Sequence, residues 1–262
     1  MAGGKSFSVN SKSPTIGTQL SDNQSLSMEA AGAFLRESEI TGYQPLPRGS
    51  NYVYLLSLKR NGEDAIAIYK PRRGETPLWD FPEGTLYQRE YATYLVSQAL
   101  KWSLVPPTII RDGPYGIGML QWFVPTQSPN YALLFEKHFQ EFKRIAAFDW
   151  LVNNADRKVG HCLEDLKGRL WLIDHGLTFN VVPKLRTVIW NFAGQPLPDE
   201  VLADFELLAG QLSGQNGLTI ELLQLLSPGE VRALKERLMM ILNHPIYPDS
   251  FGSHRRVPWP PF

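Results

Sequence analysis

The sequence predicts an α+β protein of two lobes, an antiparallel β-rich lobe followed by an α-rich lobe, with a cleft between them. Up to about residue 124, apolar residues recur mainly at every second position, as they do in half-buried strands. After about residue 131 they recur at helical spacing, and the stretch from Pro125 to Asn130 has the composition of a linker. A cleft is expected where two such lobes meet.

The composition allows a sizeable core and says little about the partner. Of the 262 residues, 43% are hydrophobic and 20% are charged, which excludes global disorder. Lys and Arg number 26, as do Asp and Glu, so the net charge gives no argument for nucleic acid. The one cysteine, Cys162, fits a reducing compartment, and a buried apolar role is favoured over a nucleophile. With no transmembrane or secretory pattern, we expect a cytoplasmic protein.

The first lobe, residues 27–124, is predicted to be β-rich with one helix, and residues 1–26 to form a mobile tail rich in serine and glycine. Ser27 is placed to cap a short helix from Met28 to Arg36. A longer helical pattern runs from Glu83 to Ala99. Strands are predicted at 43–46, 52–58, 65–70, 108–110 and 117–124, with turn signals at Asn61-Gly62 and Asp112-Gly113-Pro114.

The second lobe, residues 131–262, is predicted to be α-rich and to end in a proline-rich tail. One long helix is expected from Tyr131 to Val152, followed by a short strand at 170–173. Ser227, Pro228 and Glu230 have the spacing of a helix N-terminus with a capping box. The last three helices are predicted at 198–212, 218–226 and 228–242.

Two acidic residues lie at the edges of apolar segments, where a charged side chain is expected to have a specific structural or functional role. Asp156 follows the long helical pattern, and Asp174 follows the apolar run from Leu170 to Ile173. Rigid elements that end in loops are the usual support for a catalytic pair. Asp149 and Asn154 are placed to support the Asp156 loop.

The order of polar residues matches the requirements of phosphoryl transfer. The turn Gly49-Ser50-Asn51 offers backbone donors to a polyphosphate, and Lys70 offers a cation that Glu90 of the next helix can orient. Asp174 offers hard oxygen ligands to a divalent metal, and Asp156 offers a proton acceptor to a hydroxyl. This order is that of kinase-fold enzymes.

Each of these residues also has a structural explanation. Lys70 could be a surface lysine at a strand end, Glu90 part of a solvated helix face, and Asp156 the cap of a turn. Asp174, in its apolar context, is harder to explain by structure alone. The ordered set as a whole favours the kinase interpretation.

The segments Ala67 to Pro71, Asp156-Arg157-Lys158 and Ile173 to Gly176 resemble those of atypical kinases, namely the phosphatidylinositol 3- and 4-kinases and the HipA-type bacterial kinases. More closely, the pattern over roughly residues 40–245 resembles an uncharacterised bacterial family related to the phosphatidylinositol 3/4-kinases. It lacks the His-Arg-Asp loop and Ala-Pro-Glu segment of ordinary protein kinases. The resemblance implies a protein-kinase-like fold that uses ATP and Mg²⁺, with Mn²⁺ as an alternative. The acceptor would be a hydroxyl of an unidentified protein, lipid or small molecule.

The resemblance also implies a role for each residue. Lys70 would bind the nucleotide phosphates and pair with Glu90, Asp156 would be the catalytic base, and Asp174 would hold the metal. The adenine slot would be lined by Gln121, Trp122, Phe123 and Val124, whose backbone faces the purine.

Two positions depart from the lipid-kinase pattern. Lys158, which we group with the catalytic residues, stands where those enzymes have histidine, and His161 stands where they have the asparagine that binds a second metal. Imidazole is a softer ligand than an amide oxygen, so His161 could bind metal, contact phosphate or hold the loop. This departure motivates one alternative, a nucleotide-binding pseudokinase with a regulatory role. A further alternative is an AMP transferase on the same fold.

The resemblance also implies that the loop after Asp174-His175-Gly176 recognises the substrate, and in the lipid kinases that loop carries basic residues. Here Val181 to Asn191 carries only Lys184 and Arg186, which argues against a polyphosphoinositide substrate.

Overall fold

The computed structural model describes residues 26–46, 51–126, 131–214, 217–249 and 256–261. An antiparallel sheet occupies the first part of the chain and helices dominate the second, which confirms the predicted α+β fold class. Three predicted segments lie partly outside the described residues: positions 1–25 of the tail predicted at 1–26, the glycine and serine of the 49–51 turn, and residues 127–130 of the linker.

The first lobe is a five-stranded sheet with two helices. Its strand order is β1-β2-β3-β5-β4, with every pair antiparallel. The fold-class prediction assigned one helix to this lobe and is wrong in that count, because the helix that Ser27 caps also packs on the sheet. The elements are α1 (Met28–Glu37), β1 (Glu39–Leu46), β2 (Val53–Arg60), β3 (Glu63–Pro71), α2 (Leu86–Ala99), β4 (Thr108–Gly113) and β5 (Gly116–Trp122).

The two faces of the sheet have different partners. Ala65, Ala67 and Tyr69 of β3 pack with Phe34 of α1 in a nonpolar core on one face. Because side chains alternate along a strand, Lys70 points to the opposite face. That face lies toward α2, whose residues contact β4 and β5.

The hairpin between β2 and β3 confirms the Asn61-Gly62 turn signal. Both residues have positive φ, 52° for Asn61 and 86° for Gly62, as a two-residue turn of this kind requires. Gly116, with φ of 92°, serves the β4–β5 hairpin in the same way.

The second lobe is mainly helical, with one small two-stranded ribbon. The ribbon pairs β6 with β7, and the hydrogen bond from Ile173 N to the His161 carbonyl at 3.1 Å extends it toward Asp174. None of the helices in the described part of the chain is both long and nonpolar enough to span a bilayer. The elements are α3 (Tyr131–Lys137), α4 (Phe139–Leu151), β6 (Cys162–Glu164), β7 (Leu170–Leu172), α5 (Asp199–Ser213), α6 (Leu218–Leu225) and α7 (Pro228–Asn243).

The single helix predicted from Tyr131 to Val152 is wrong, because the chain breaks it at His138. The backbone there has φ of −114° and ψ of 33°, outside the helical range. Its imidazole Nε2 lies 2.9 Å from Oε1 of Glu164 on β6. A contact with a distant element therefore separates α3 from α4.

The capping box predicted for the last helix is confirmed, and one of its members also joins the two lobes. Glu230 Oε2 accepts a hydrogen bond from Ser227 N at 2.9 Å. The other carboxylate oxygen of Glu230 forms a buried ion pair with Arg89 of α2. Arg89 also donates to the Thr178 carbonyl at 2.7 Å. The pair therefore holds α2 against the second lobe.

Gly118→Ala should destabilise the sheet where β3 ends. A Cβ at this position would lie 2.4 Å from the carbonyl oxygen of Lys70 and 2.7 Å from Cα of Pro71, so β3 must shift. We expect a loss of about 1–3 kcal/mol in the free energy of unfolding, measured by urea denaturation. Gly210→Ala on α5 is the matched control, and it should gain roughly 0.5–1 kcal/mol. Apart from the backbone of its own helix and its chain neighbours, the described residues leave the space within 4 Å of an added Cβ open. Equal stability of Gly118→Ala and the wild type would contradict the close approach.

Candidate active site

Lys70 lies between two carboxylates in the cleft. Its Nζ donates to Glu90 Oε1 at 2.6 Å and to Asp174 Oδ1 at 2.9 Å. The Glu90 side chain is 2% exposed, that of Lys70 18%, and that of Asp174 48%. The last residues of β3, the middle of α2 and the loop after β7 therefore converge on one ammonium group, with the most exposed carboxylate on the open side.

The charges of this cluster stabilise one another. Burial lowers the pKa of Lys70, but Asp174 and Glu90 outweigh it, so that the pKa of the ammonium is raised. Burial raises the pKa of Asp174, but Lys70 outweighs it and holds that pKa below its ordinary value. For Glu90 burial prevails over Lys70, and its pKa is raised. Asp174 is thus the carboxylate that stays ionised and accessible.

The backbone at Asp174 is held in an unusual conformation. Its φ is 61°, in the left-handed region that only Gly, Asn and Asp visit with ease. The next residue, His175, donates its N–H to Glu90 Oε2 at 2.8 Å. One buried glutamate therefore fixes both Lys70 and the Asp174 loop.

Asp156 lies in the loop after α4, with Lys158 beside it. Lys158 Nζ is 3.2 Å from Asp156 Oδ2. Burial raises the pKa of Asp156, although Lys158 lowers it in part. Asn154 Oδ1 accepts from Asp156 N at 3.0 Å, and its amide donates to Asp149 Oδ1 at 2.9 Å. Asn154 and Asp149 thus occupy the supporting positions that the sequence analysis expected of them.

Arg157 connects the Asp156 loop to the Asp174 loop. Its guanidinium is fully buried and binds both oxygens of Asp149, with Nε 2.9 Å from Oδ2 and Nη2 2.9 Å from Oδ1. Its Nη1 donates to the carbonyls of His161 and Ile173 at 3.2 and 3.1 Å. Arg157 has no role in the predicted site, because its partners lie on three separate segments of the chain.

His161 directs its Nε2 toward the carboxylate of Asp174. Its Nδ1 accepts from Lys158 N at 3.4 Å, and its Nε2 lies 3.3 Å from Asp174 Oδ2. Burial lowers the pKa of His161 to about 4, although Asp174 raises it in part. A neutral ring with an accepting Nδ1 carries its proton on Nε2. In this tautomer, His161 is a hydrogen-bond donor to an anion.

His175 is packed in the second lobe. It is fully buried, and its Nε2 lies 2.7 Å from Arg157 Nη2, so it must accept that hydrogen bond. Burial, followed by Arg157, lowers the pKa of His175 well below its ordinary value. Its buried Nδ1 has no hydrogen-bond partner among the described residues, and it packs edge-on to Phe148.

The four predicted adenine-slot residues fall into two groups. Gln121 is buried and donates to Thr108 Oγ1 at 2.9 Å, and Trp122 packs edge-on against Phe34, away from the Lys70 face. Phe123 and Val124 are half-buried, and Phe123 N donates to the Ile66 carbonyl at 3.2 Å.

Three nonpolar residues that are absent from the predicted site lie on the same face of the sheet as Lys70. Val53, Leu55 and Ile68 are half-buried, whereas alternate residues of β2 are fully covered. Leu55 and Ile68 are cross-strand partners. The alternation in β2 could have identified them as the nonpolar roof of the cleft.

The residues at the first turn and Cys162 have defined positions where the structure describes them. Asn51 Oδ1 accepts from Thr76 N at 2.7 Å, and Gly49 and Ser50 lie outside the described residues. Cys162 is fully buried, and burial raises the pKa of its thiol to about 12. A buried thiol with this pKa is a poor nucleophile.

Asp174 fits the modest demands of a nucleotide-bound Mg²⁺. Within the described ranges, no group of three or more His, Cys, Asp or Glu side chains converges as a metal cage. Such a cage is unnecessary, because Mg²⁺ in phosphoryl-transfer sites takes one or two carboxylates together with phosphates and waters. An ionised, half-exposed carboxylate beside Lys70 meets that requirement.

Comparison with curated proteins finds a relative that covers most of the chain. Protein Rv2133c of Mycobacterium tuberculosis is 38% identical over an alignment 266 positions long, which covers 88% of this chain and 95% of that protein. Among solved structures, a Helicobacter pylori proinflammatory kinase, CtkA, aligns with 80% of this chain and 93% of its own at a TM-score of 0.48 and 11% identity. No protein-family model matches the chain.

Proposed function

We propose a function for this chain on the basis of the geometry of its cleft. The chain belongs to the same family as Protein Rv2133c of Mycobacterium tuberculosis. The function is ATP- and Mg²⁺-dependent transfer of the γ-phosphoryl group to a hydroxyl of an acceptor. The observation that carries the proposal is Lys70, held between the buried Glu90 and the half-exposed Asp174. A cation fixed at a strand end by a helix acid, opposite a metal-binding acid, is the arrangement that protein kinases use for phosphoryl transfer.

The nucleotide side of the site is provided by the first lobe and the Asp174 loop. Lys70 binds phosphate oxygens and releases Asp174 when they arrive, while Glu90 keeps the ammonium in place. Val53, Leu55 and Ile68 offer a nonpolar surface to the base. Asp174 holds Mg²⁺, which when bound neutralises charge on the phosphates. The Nε2–H of His161 donates a hydrogen bond to Asp174 or to a phosphate oxygen.

The acceptor side of the site is provided by the Asp156 loop. Asp156 orients the acceptor hydroxyl and takes its proton, and its raised pKa makes it a better proton acceptor than an exposed aspartate. Lys158, 3.2 Å from that carboxylate, offers a positive charge to the transferred group. Most of the catalytic effect comes from positioning and charge neutralisation.

The finer class that we propose is an atypical kinase like the phosphatidylinositol 3/4-kinases and the HipA-type enzymes, acting in the cytoplasm. This class rests on the three short segments that resemble those enzymes, Ala67 to Pro71, Asp156-Arg157-Lys158 and Ile173 to Gly176.

One observation favours a second candidate, a nucleotide-binding pseudokinase. His161 replaces the asparagine expected as second metal ligand, and its Nδ1 accepts a backbone hydrogen bond from Lys158.

Nucleotide binding is testable by thermal unfolding of the purified chain. ATP with Mg²⁺ should raise the unfolding midpoint, and EDTA should remove most of the rise. Lys70→Met should show a much smaller rise, because it loses the phosphate-binding ammonium. Lys59→Met, whose side chain is 52% exposed on β2, is the matched control and should respond like the wild type. Equal midpoints with and without Mg²⁺-ATP would contradict nucleotide binding by this site.

A further inference from the structure

Two exposed nonpolar segments meet beside the cleft. Pro77-Leu78-Trp79 lies in the loop before α2, and Val181-Val182-Pro183 follows the Asp174 loop. Trp79 is 92% exposed, and Val181 and Val182 are 54% and 59% exposed. Tryptophan is well buried on average, and clustered exposed nonpolar residues mark interaction sites. We name these six residues the acceptor-side patch.

The two segments are tied to each other across the lobes. Lys184 Nζ lies 3.0 Å from Asp80 Oδ2 and 5.0 Å from the centre of the Trp79 ring. The Asn180 amide donates to the carbonyl of Asp80 at 2.7 Å. One segment comes from the loop of the first lobe and the other from the second lobe, so the acceptor-side patch spans their junction.

The acceptor-side patch is also fixed to the loop that carries Asp156. Asn153 donates to the carbonyls of Asn180 and Val182, both at 2.8 Å, and its Oδ1 accepts from Lys184 N at 2.7 Å. The backbone of the segment is therefore held while its nonpolar side chains face solvent. A molecule that binds these nonpolar side chains therefore lies next to the loop that carries Asp156, the proposed catalytic base.

We propose that the acceptor-side patch docks the acceptor and that this acceptor is a polypeptide with nonpolar side chains near its reacting hydroxyl. The inference rests on the proposed function. In the reaction, the hydroxyl oxygen bonds to the γ-phosphorus, the bond from that phosphorus to the bridging oxygen of ADP breaks, and the hydroxyl proton goes to Asp156. ADP and the phosphorylated polypeptide leave.

The charges of the patch favour a nonpolar polypeptide over a membrane. The lysine and the aspartate beside it, Lys184 and Asp80, neutralise each other and are only 13% and 14% exposed. Membrane surfaces recruit proteins through clusters of roughly four to eight basic side chains together with nonpolar ones. A nonpolar patch whose one lysine is already paired offers no such cluster.

The size of the patch favours a transient substrate over a stable partner. It comprises the six residues of the two segments, whereas stable interfaces involve roughly 20–30 residues on each side. A short stretch of polypeptide that positions its hydroxyl beside Asp156 needs only a few side-chain contacts. The exposed tryptophan is the residue type most often dominant in such contacts.

The test uses the full chain, radiolabelled ATP, Mg²⁺ and a library of serine- and threonine-centred peptides with degenerate flanking positions. We expect selection of nonpolar flanking residues by the wild type. Trp79→Ala should lower kcat/KM for the selected peptides about tenfold or more, chiefly by raising KM for the peptide, and Trp79→Phe should restore part of it. Leu207→Ala, at a 66% exposed position on α5, is the matched control and should match the wild type.

Three outcomes would overturn the inference. Equal kcat/KM for Trp79→Ala and Leu207→Ala would show that the patch does not dock the acceptor. Transfer to phosphatidylcholine–phosphatidylinositol vesicles but to no peptide would identify a lipid acceptor, and ATP hydrolysis without peptide phosphorylation would exclude a polypeptide one. The lipid-transfer outcome and the ATP-hydrolysis outcome would each leave the proposed function intact. Failure of Mg²⁺-ATP to bind at all would instead remove the proposed function and this inference with it.

Discussion

Asp174→Asn is expected to lower kcat about 1000-fold while the chain stays folded. The substitution removes the only charge that Asp174 offers to Mg²⁺, and a metal supplies several kcal/mol of charge stabilisation, of which roughly 4 kcal/mol corresponds to this factor. Asparagine is the best replacement for a structural comparison, because it adopts the positive φ of 61° at this position with little strain. The measurement is steady-state turnover over a range of Mg²⁺ concentrations.

The control for Asp174→Asn is Asp64→Asn at a 44% exposed surface position, which should keep wild-type turnover. Asp174→Asn should also respond weakly to added Mg²⁺, since its metal site is weakened. If it turned over at the wild-type rate and with the same Mg²⁺ dependence, Asp174 would not be the metal ligand.

Arg157→Leu is expected to destabilise the chain by about 3–5 kcal/mol, because it leaves the buried Asp149 carboxylate without its charge partner. The carbonyls of His161 and Ile173 lose a hydrogen-bond donor as well. Urea denaturation at neutral pH measures the loss. An unfolding free energy within about 0.5 kcal/mol of the wild type, which is the scale of ordinary surface substitutions, would contradict this account.

A double variant separates the two roles of Arg157. Asp149→Leu combined with Arg157→Met replaces the ion pair by nonpolar side chains, which often restores stability. We expect much of the stability to return but little of the turnover, since nothing then holds the loop of Asp174 through the Ile173 carbonyl. Recovery of both would show that Arg157 serves the fold alone.

The sequence predicted the elements whose signals are local. The Asn61-Gly62 turn, the Ser27 cap and the Ser227–Glu230 capping box each depend on residues a few positions apart, and each is present. Alternation along β3 placed Lys70 at the end of a sheet strand. These features follow from backbone conformation and short-range hydrogen bonds.

Features created by distant contacts could not be predicted in this way. The break at His138 depends on Glu164, 26 positions further on, and the link between the lobes pairs Arg89 with Glu230, 141 positions apart. Arg157 likewise serves segments that only the fold brings together. For the candidate site, residue order predicted which side chains to examine, whereas their mutual distances required the structure.

The most direct test of the central claim is to incubate the purified chain with Mg²⁺ and ATP labelled at either the γ- or the α-phosphate, with the peptide library as acceptor. The account predicts label in the acceptor from γ-labelled ATP alone, with loss of transfer in Lys70→Met. Label from α-labelled ATP would show AMP transfer on the same fold. Mg²⁺-ATP binding with no transfer to peptide, lipid or water would contradict the kinase assignment and support the pseudokinase.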